Sequence, residues 1–122
     1  MYTYNAEVAR VVDGDTVDLY IDLGFNTFIK ERARLYGINT PETRTRDIEE
    51  KKKGLEAKQY LIDWVKKHKN KVTIKTELDK KGKYGRILAT LWGKDEYDSN
   101  KNIPSANELL LENGHAVEYF GT

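Results

Sequence analysis

Three short clusters of polar residues carry the side chains of this 122-residue chain that could perform chemistry. They are Asp13-Gly14-Asp15-Thr16, the segment from Arg34 to Glu42, and Lys83-Tyr84-Gly85-Arg86. Taken singly, each cluster has a structural explanation, because Asp-Gly is a turn signal and Pro-Glu and Gly-Arg are common at the ends of loops. Taken together, they contain the groups that hydrolysis of a phosphodiester bond requires.

The first two clusters contain oxygen ligands and a general base. A hard divalent cation prefers carboxylate and carbonyl oxygens, which Asp15, Asn39 and the backbone of Thr40 can provide. An attacking water molecule needs a nearby base that accepts its proton, and Glu42 is the candidate. This combination indicates metal-assisted hydrolysis.

Two arginines complete the set of groups. Charge that accumulates on phosphoryl oxygens is stabilised by guanidinium groups, which bind such oxygens through paired N–H donors. Arg34 and Arg86 can supply these donors. The alternative for an arginine in a half-buried strand is a structural role, in which its stem packs on apolar surface and its head stays in water.

The composition excludes several other classes of protein. The chain has no Cys and only two His, His68 and His115, so disulfides, thiolate chemistry and a zinc site are not expected. The first residues lack the basic start and apolar core of a signal peptide, and no window approaches the roughly 20 apolar residues of a membrane span. We expect no membrane partner. The location stays open between an intracellular or phage-encoded protein and the mature form of a secreted one.

The net charge of +1 conceals an uneven distribution of charge. Residues 1–43 carry a net charge of −3, residues 44–86 carry +8, and residues 87–122 carry −4. Lysines on solvated helix and loop surfaces would explain the basic middle. The alternative is a face that attracts phosphate groups, which is typical of proteins that bind nucleic acids.

Hydrophobic periodicity predicts the elements that must position the clusters, within a single domain over residues 1–122. Strands are predicted over residues 6–12, 15–23, 27–37, 71–78 and 86–92. An apolar stripe at helical spacing predicts a helix over 55–68, and the capping box from Ser105 to Glu108 predicts a second, shorter helix. The polar residues 43–54 are predicted to form a long mobile loop, and residues 79–85 a second loop.

The resulting order of elements, βββαββα, predicts a small α+β fold. We interpret it as an OB-fold, a five-stranded Greek-key β-barrel with two short helices. Barrels of this kind often bind nucleic acids or sugars, but the fold alone does not assign a function.

The order of three motifs resembles that of the staphylococcal nuclease (thermonuclease) family. They are Val-Asp-Gly-Asp-Thr-Val at 12–17, Arg-Leu-Tyr-Gly-Ile-Asn-Thr-Pro-Glu-Thr at 34–43, and Lys-Tyr-Gly-Arg at 83–86. The helix at 107–110 and Gly114 also match, so the resemblance runs from about residue 8 to the C-terminus. It implies an OB barrel and Ca²⁺-dependent hydrolysis of DNA and RNA. Little sequence selectivity, a preference for single-stranded or frayed regions, and 3′-phosphate products are also implied.

The resemblance implies roles for the residues of the first two motifs. Asp15 and the Thr40 carbonyl would bind the Ca²⁺ ion together with Asn39, and Asp13 would be a neighbouring carboxylate. Glu42 would position or deprotonate the attacking water.

The resemblance also implies how substrate is held. Arg34 and Arg86 would bind the scissile phosphate and stabilise the developing charge, while Lys83 and Tyr84 would contact a substrate phosphate. The basic loop at 44–54 would flank the active site.

Two features depart from the family pattern. Asn39 stands where better-known members have an aspartate that binds calcium, so we expect weaker calcium affinity than at a site with two aspartates. Tyr119 and Phe120 lie in the region where the family has an aromatic residue near the substrate base, but neither residue matches that position closely enough to receive a role.

Two other functions are compatible with the same sequence. The first is a non-catalytic nucleic-acid-binding module of the same fold, and the second is a protein-interaction module whose lysine-rich face meets an acidic partner. A domain that had lost catalysis would have no reason to keep Arg34, Glu42 and Arg86 together, so we favour an active nuclease, and we expect a monomer.

Overall fold

Five β-strands form a closed barrel in the computed structural model, which describes residues 2–78, 87–94, 96–97 and 103–120. The elements are β1 (Tyr2–Asp13), β2 (Thr16–Asp22), β3 (Phe28–Leu35), β4 (Ile38–Asn39), α1 (Ile48–Lys67), β5 (Lys71–Leu78), β6 (Ile87–Gly93), α2 (Ala106–Glu112) and β7 (Val117–Glu118). The barrel order is β1-β2-β3-β6-β5, closed by pairing of β1 with β5. The five-stranded barrel with two helices confirms the predicted fold class.

Side chains alternate between the two faces of the strands, as the sequence periodicity predicted. Val17, Leu19 and Ile21 of β2 lie at most 2% exposed inside the barrel. Leu61 of α1 and Leu110 of α2 are fully buried in the same core. Burial of each such side chain stabilises the fold by about 1.5–3 kcal/mol, so this core holds the barrel and both helices as one unit.

The prediction of a mobile loop over residues 43–54 was wrong for residues 48–54, because α1 begins at Ile48. Asp47 is the N-cap, and its side chain accepts hydrogen bonds from the backbone N–H groups of Glu49 and Glu50. Acidic residues in the first turn also interact favourably with the positive end of the helix dipole. The helix is 20 residues long and therefore not short.

Gly54 lies inside α1 and is buried against the chain that follows β4. A Cβ atom at this position would lie 2.7 Å from the carbonyl oxygen of Pro41 and 2.8 Å from that of Glu42. Only glycine permits this approach, so α1 packs directly on the backbone of residues 41–42. The polar composition of residues 43–54 indicated a loop, because the sequence alone does not show that Gly54 contacts the backbone of residues 41–42.

The second helix follows its sequence signals. Ser105 is the N-cap and accepts a hydrogen bond from the backbone N–H of Glu108 at 3.1 Å, which confirms the predicted start of this helix. Gly114 follows the helix with φ 76°, a left-handed conformation that glycine adopts at low cost.

Two strands of two residues each were not predicted. β4 and β7 pair antiparallel, with Ile38 opposite Glu118 and Asn39 opposite Val117. Two residues are too few to show a period, so tertiary pairing rather than local pattern determines these strands. In the part of the chain that the structure describes, no helix combines the length and apolar character needed to cross a membrane.

Candidate active site

Asp15 lies in the turn between β1 and β2, where its side chain is almost fully buried. One carboxylate oxygen, Oδ1, accepts a hydrogen bond from Thr16 Oγ1 at 3.0 Å, and the other, Oδ2, accepts one from the backbone N–H of Thr40 at 3.2 Å. The backbone carbonyl of Asp15 accepts a further bond from the N–H of Leu35 in β3. Asp15 therefore connects the turn to Leu35 and Thr40, which both belong to the motif at residues 34–43.

Gly14 allows the turn to approach its surroundings closely. A Cβ atom there would lie 2.8 Å from Cβ of Ala57 in α1 and 3.0 Å from Oγ1 of Thr40. Glycine at position 14 therefore suits the packing as well as the turn, because the turn lies between α1 and the segment that contains Thr40.

Arg34 lies on β3 opposite Thr16 of β2, and its side chain is 22% exposed. Its Nη2 atom donates to Oδ1 of Asn39 at 2.9 Å and to the carbonyl of Ile38 at 3.3 Å. The same nitrogen lies 3.9 Å from Oδ2 of Asp15. The structure thus brings three predicted site residues, Asp15, Arg34 and Asn39, into one cluster.

Tyr119 packs against this cluster, although sequence reasoning gave it no role. Its ring centroid lies 5.0 Å from Cζ of Arg34, a cation–π distance. Its backbone N–H donates to the carbonyl of Gly37, next to β4. The pairing of β4 with β7 brings Tyr119 here, and a two-residue strand gave no signal from which this could have been predicted.

Asp13 and Glu42 belong to segments that the structure joins. The hydroxyl of Thr43 donates to Oδ1 of Asp13 at 2.6 Å, so Asp13 holds the residue that follows Glu42. The Glu42 side chain is exposed to solvent, while its backbone packs on Gly54 of α1. The predicted base is therefore an accessible carboxylate on a backbone that is fixed from two sides.

Three predicted site residues, Lys83, Tyr84 and Arg86, lie outside the described residues, as does the predicted loop over 79–85. Their roles stay predictions. Ile87, where the description of the chain resumes, is the parallel partner of Ala33 in β3.

Asn107 is a buried polar residue that holds the elements around the site. Its Nδ2 donates to the carbonyls of Tyr36 and Ala89, and its Oδ1 accepts from the N–H of Leu91. These bonds join α2 to β6 and to the chain just after β3. A polar amide in the first turn of an apolar helix was the available sequence signal for this structural role.

The family model described as Staphylococcal nuclease homologue matches residues 32–122. The chain belongs to the staphylococcal nuclease family. This confirms the resemblance that the motifs indicated, and the match includes Arg34, Asn39, Thr40 and Glu42.

Several known proteins are similar to this chain over most of its length. The thermonuclease of Staphylococcus intermedius is 38% identical over 73% of this chain and 49% of its own length. The thermonuclease of Staphylococcus hyicus is 34% identical over 93% of this chain and 59% of its own length. An uncharacterized protein of Methanocaldococcus jannaschii, MJ1439, is 33% identical over 95% and 59%. The chain thus spans about half the length of these relatives.

The oxygen donors of the cluster fit the Ca²⁺ ion that the resemblance to this family implies. A carboxylate offers about four acceptor positions, and the contacts described above use two of those on Asp15. Asn39 Oδ1 and the Thr40 carbonyl are further neutral oxygens, and Ca²⁺ completes its shell with water. Among the described residues, no three acidic, His or Cys side chains are placed so that they could hold a metal ion together. The donor set is therefore of the right kind but carries little negative charge.

Proposed function

We propose that this chain is a Ca²⁺-dependent nuclease that hydrolyses phosphodiester bonds in DNA and RNA with little sequence selectivity. The observation that carries the proposal is the cluster in which Arg34 lies 3.9 Å from the Asp15 carboxylate, beside the amide oxygen of Asn39 and the backbone N–H of Thr40. A guanidinium beside a set of hard oxygen donors is what recognition of a metal-bound phosphate requires. The names of the thermonuclease relatives support the same reaction.

Arg34 would bind the scissile phosphate. A guanidinium carries five N–H donors, and every hydrogen bond and ion-pair contact described for Arg34 involves Nη2. The Nε and Nη1 donors take no part in these bonds, so each can donate to a phosphoryl oxygen from its own side of the guanidinium while Nη2 keeps its contacts. Since the negative charge on these oxygens grows as the reaction proceeds, Arg34 stabilises the transition state more than the ground state.

Glu42 would accept the proton of the attacking water. Its carboxylate is exposed on a segment that Asp13 and Gly54 hold in place, so a water molecule can reach it from solvent. Attack in line with the 5′-oxygen releases that oxygen and leaves a 3′-phosphate. Asp15, Asn39 and the Thr40 carbonyl would hold Ca²⁺, which supplies further positive charge to the phosphoryl oxygens when bound.

Cleavage assays with and without calcium test this proposal. Supercoiled plasmid and single-stranded DNA are incubated with the protein in Ca²⁺ or in chelator, alongside Glu42→Gln. Glu56→Gln, an exposed glutamate on α1, is the matched control. We expect cleavage only with calcium, lost by 10²–10⁴-fold, roughly the contribution of a general base, in Glu42→Gln and retained in Glu56→Gln. Tight DNA binding without cleavage at any calcium concentration would overturn the proposal in favour of a non-catalytic binding module.

A further inference from the structure

The hairpin formed by β2 and β3 exposes aromatic side chains at the end remote from Arg34. Tyr20, Phe25 and Phe28 are 44%, 103% and 58% exposed. Phe25 and Asn26 at the tip have φ values of 54° and 59°. Bulky side chains rarely adopt this left-handed region, and an exposed one that does so is a reason to look for a function.

The outer face of β3 connects this tip to the candidate active site. Ala33 and Leu35 point into the barrel, so Phe28, Arg32 and Arg34 share the opposite face of the strand. At about 3.3 Å per residue, Phe28 lies roughly 20 Å along the strand from Arg34. Lys30 lies on the same face, so basic and aromatic residues follow one another from the tip to the cluster.

The neighbouring strand β2 adds to this surface. Tyr20 lies opposite Lys30, whose Nζ atom is 5.8 Å from the centroid of the tyrosine ring. Arg32 forms an ion pair with Asp18 at 2.8 Å, so its charge is largely compensated. Glu7 of β1 lies opposite Tyr20 as well. Because acidic groups balance the basic ones, stacking on the rings rather than charge must provide most of any affinity.

We propose that the outer face of the β2–β3 hairpin binds the single-stranded nucleic acid that extends from the Arg34 site, with bases stacked on Tyr20, Phe25 and Phe28. This inference rests on the proposed function and names a further binding site for its substrate. Single-stranded nucleic acid is bound by grooves that combine cationic side chains with aromatic platforms. The face is continuous with the Arg34 site. A nucleic acid bound at Arg34 would extend along it, whereas the contact of a second copy of the chain would not need to end at Arg34, so we favour single-stranded nucleic acid.

The test measures how affinity depends on the length of the nucleic acid. Fluorescence anisotropy of labelled oligothymidylates of two and of twelve nucleotides is recorded in calcium, in a Glu42→Gln background so that the strands stay intact. The double variant Phe25→Ala, Phe28→Ala is compared with Tyr2→Ala, which removes an exposed aromatic ring at the start of β1. Thermal unfolding of each variant verifies the fold.

Stacking contributes about 1–3 kcal/mol per base, so loss of two platforms is expected to weaken binding of the twelve-nucleotide strand at least tenfold. The affinity for the dinucleotide is expected to fall less than twofold, and Tyr2→Ala is expected to bind both strands like its parent.

An unchanged affinity of the double variant for the longer strand, or an equal loss in Tyr2→Ala, would overturn the inference. A dimeric parent and a monomeric double variant in gel filtration would also overturn the inference, because the outer face of the hairpin would then be a contact between two copies of the chain. If the unsubstituted protein cleaves no DNA but binds the longer strand more tightly than the dinucleotide, the result would support the hairpin binding site and overturn only the proposed function.

Discussion

The guanidinium of Arg34 donates from Nη2 to Oδ1 of Asn39 at 2.9 Å. Asn39 stands where better-known members of the family have an aspartate, so a neutral amide here accepts a bond that a carboxylate could accept. The amide keeps Arg34 oriented but provides no charge to a cation. In the proposed calcium site, orientation of the arginine and attraction of the metal would therefore be partly separated.

We expect Asn39→Asp to tighten calcium binding. A second carboxylate adds one negative charge to a donor set that has only Asp15. Isothermal titration calorimetry of calcium and the calcium concentration for half-maximal cleavage should both shift to lower concentration. Asn70→Asp, at an exposed position after α1, is the control and should change neither. An unchanged or raised calcium requirement in Asn39→Asp would contradict this interpretation.

Tyr119 should act as a positioning residue for Arg34. A cation–π contact of this kind is worth about 0.5–2 kcal/mol, so Tyr119→Ala should lower kcat/KM by roughly 2- to 30-fold. Tyr119→Phe retains the ring and should keep most of the activity. If the phenylalanine variant loses as much as the alanine variant, the hydroxyl rather than the ring is important. Tyr119→Ala should also shift the Arg34 side-chain NMR signals, which distinguishes positioning from a change in stability alone.

Gly54→Ala should destabilise the fold and lower activity, although alanine is the better helix former. The added methyl group would clash with the carbonyl oxygens of Pro41 and Glu42. Overpacking of this kind costs about 1–3 kcal/mol, more than the roughly 1 kcal/mol that alanine gains in helix propensity. Lys53→Ala, an exposed neighbour in α1, should be close to neutral in denaturant unfolding. A stabilised Gly54→Ala variant would show that α1 does not support the Glu42 backbone.

Stability in acid should depend on Asp18. The hydrogen bond and charge of Arg32 hold the pKa of the Asp18 carboxyl below its ordinary value of 3.8, against the opposing effect of burial. A depressed folded-state pKa stabilises the protein above the ordinary pKa, and that contribution is lost as pH falls below it. Asp18→Asn should therefore lower Tm at pH 7 and reduce the decline of Tm between pH 4 and pH 2. Asp63→Asn, an exposed carboxylate on α1, should leave the slope of that decline unchanged, and equal slopes in parent and Asp18→Asn would refute the assignment.

Local signals in the sequence predicted the barrel strands and the start of α2 well. Val17, Leu19 and Ile21 alternate with polar residues, and this period of two indicates which face of the strand is buried. The helix cap formed by Ser105 and Glu108 involves only residues close in sequence, so it can be recognised from a short segment. The start of α1 was missed because Asp47 was read as part of a charged loop. Its capping role could have been inferred from the two glutamates that follow it.

The sequence predicted that some of the candidate site residues lie together, but it did not predict how they are arranged. Residue types and order placed Asp15, Arg34 and Asn39 in one site, and the structure brings these three together. The contact of Tyr119 with Arg34 depends on the two-residue pairing of β4 with β7, which no local period encodes. The same holds for Asn107, whose side-chain bonds reach two distant segments of the chain, β6 and the residue that follows β3.

The most direct test of the account is the single-turnover rate of cleavage of a single-stranded oligonucleotide in saturating calcium by Arg34→Ala. Arg10→Ala, an exposed arginine on β1, is the matched control. Removal of one donor group to a developing oxyanion costs about 10²–10³ in rate, so the account predicts a loss of that size in Arg34→Ala and a parental rate in Arg10→Ala. Cleavage by Arg34→Ala at the parental rate would contradict the claim that the Asp15–Arg34 cluster is the active site.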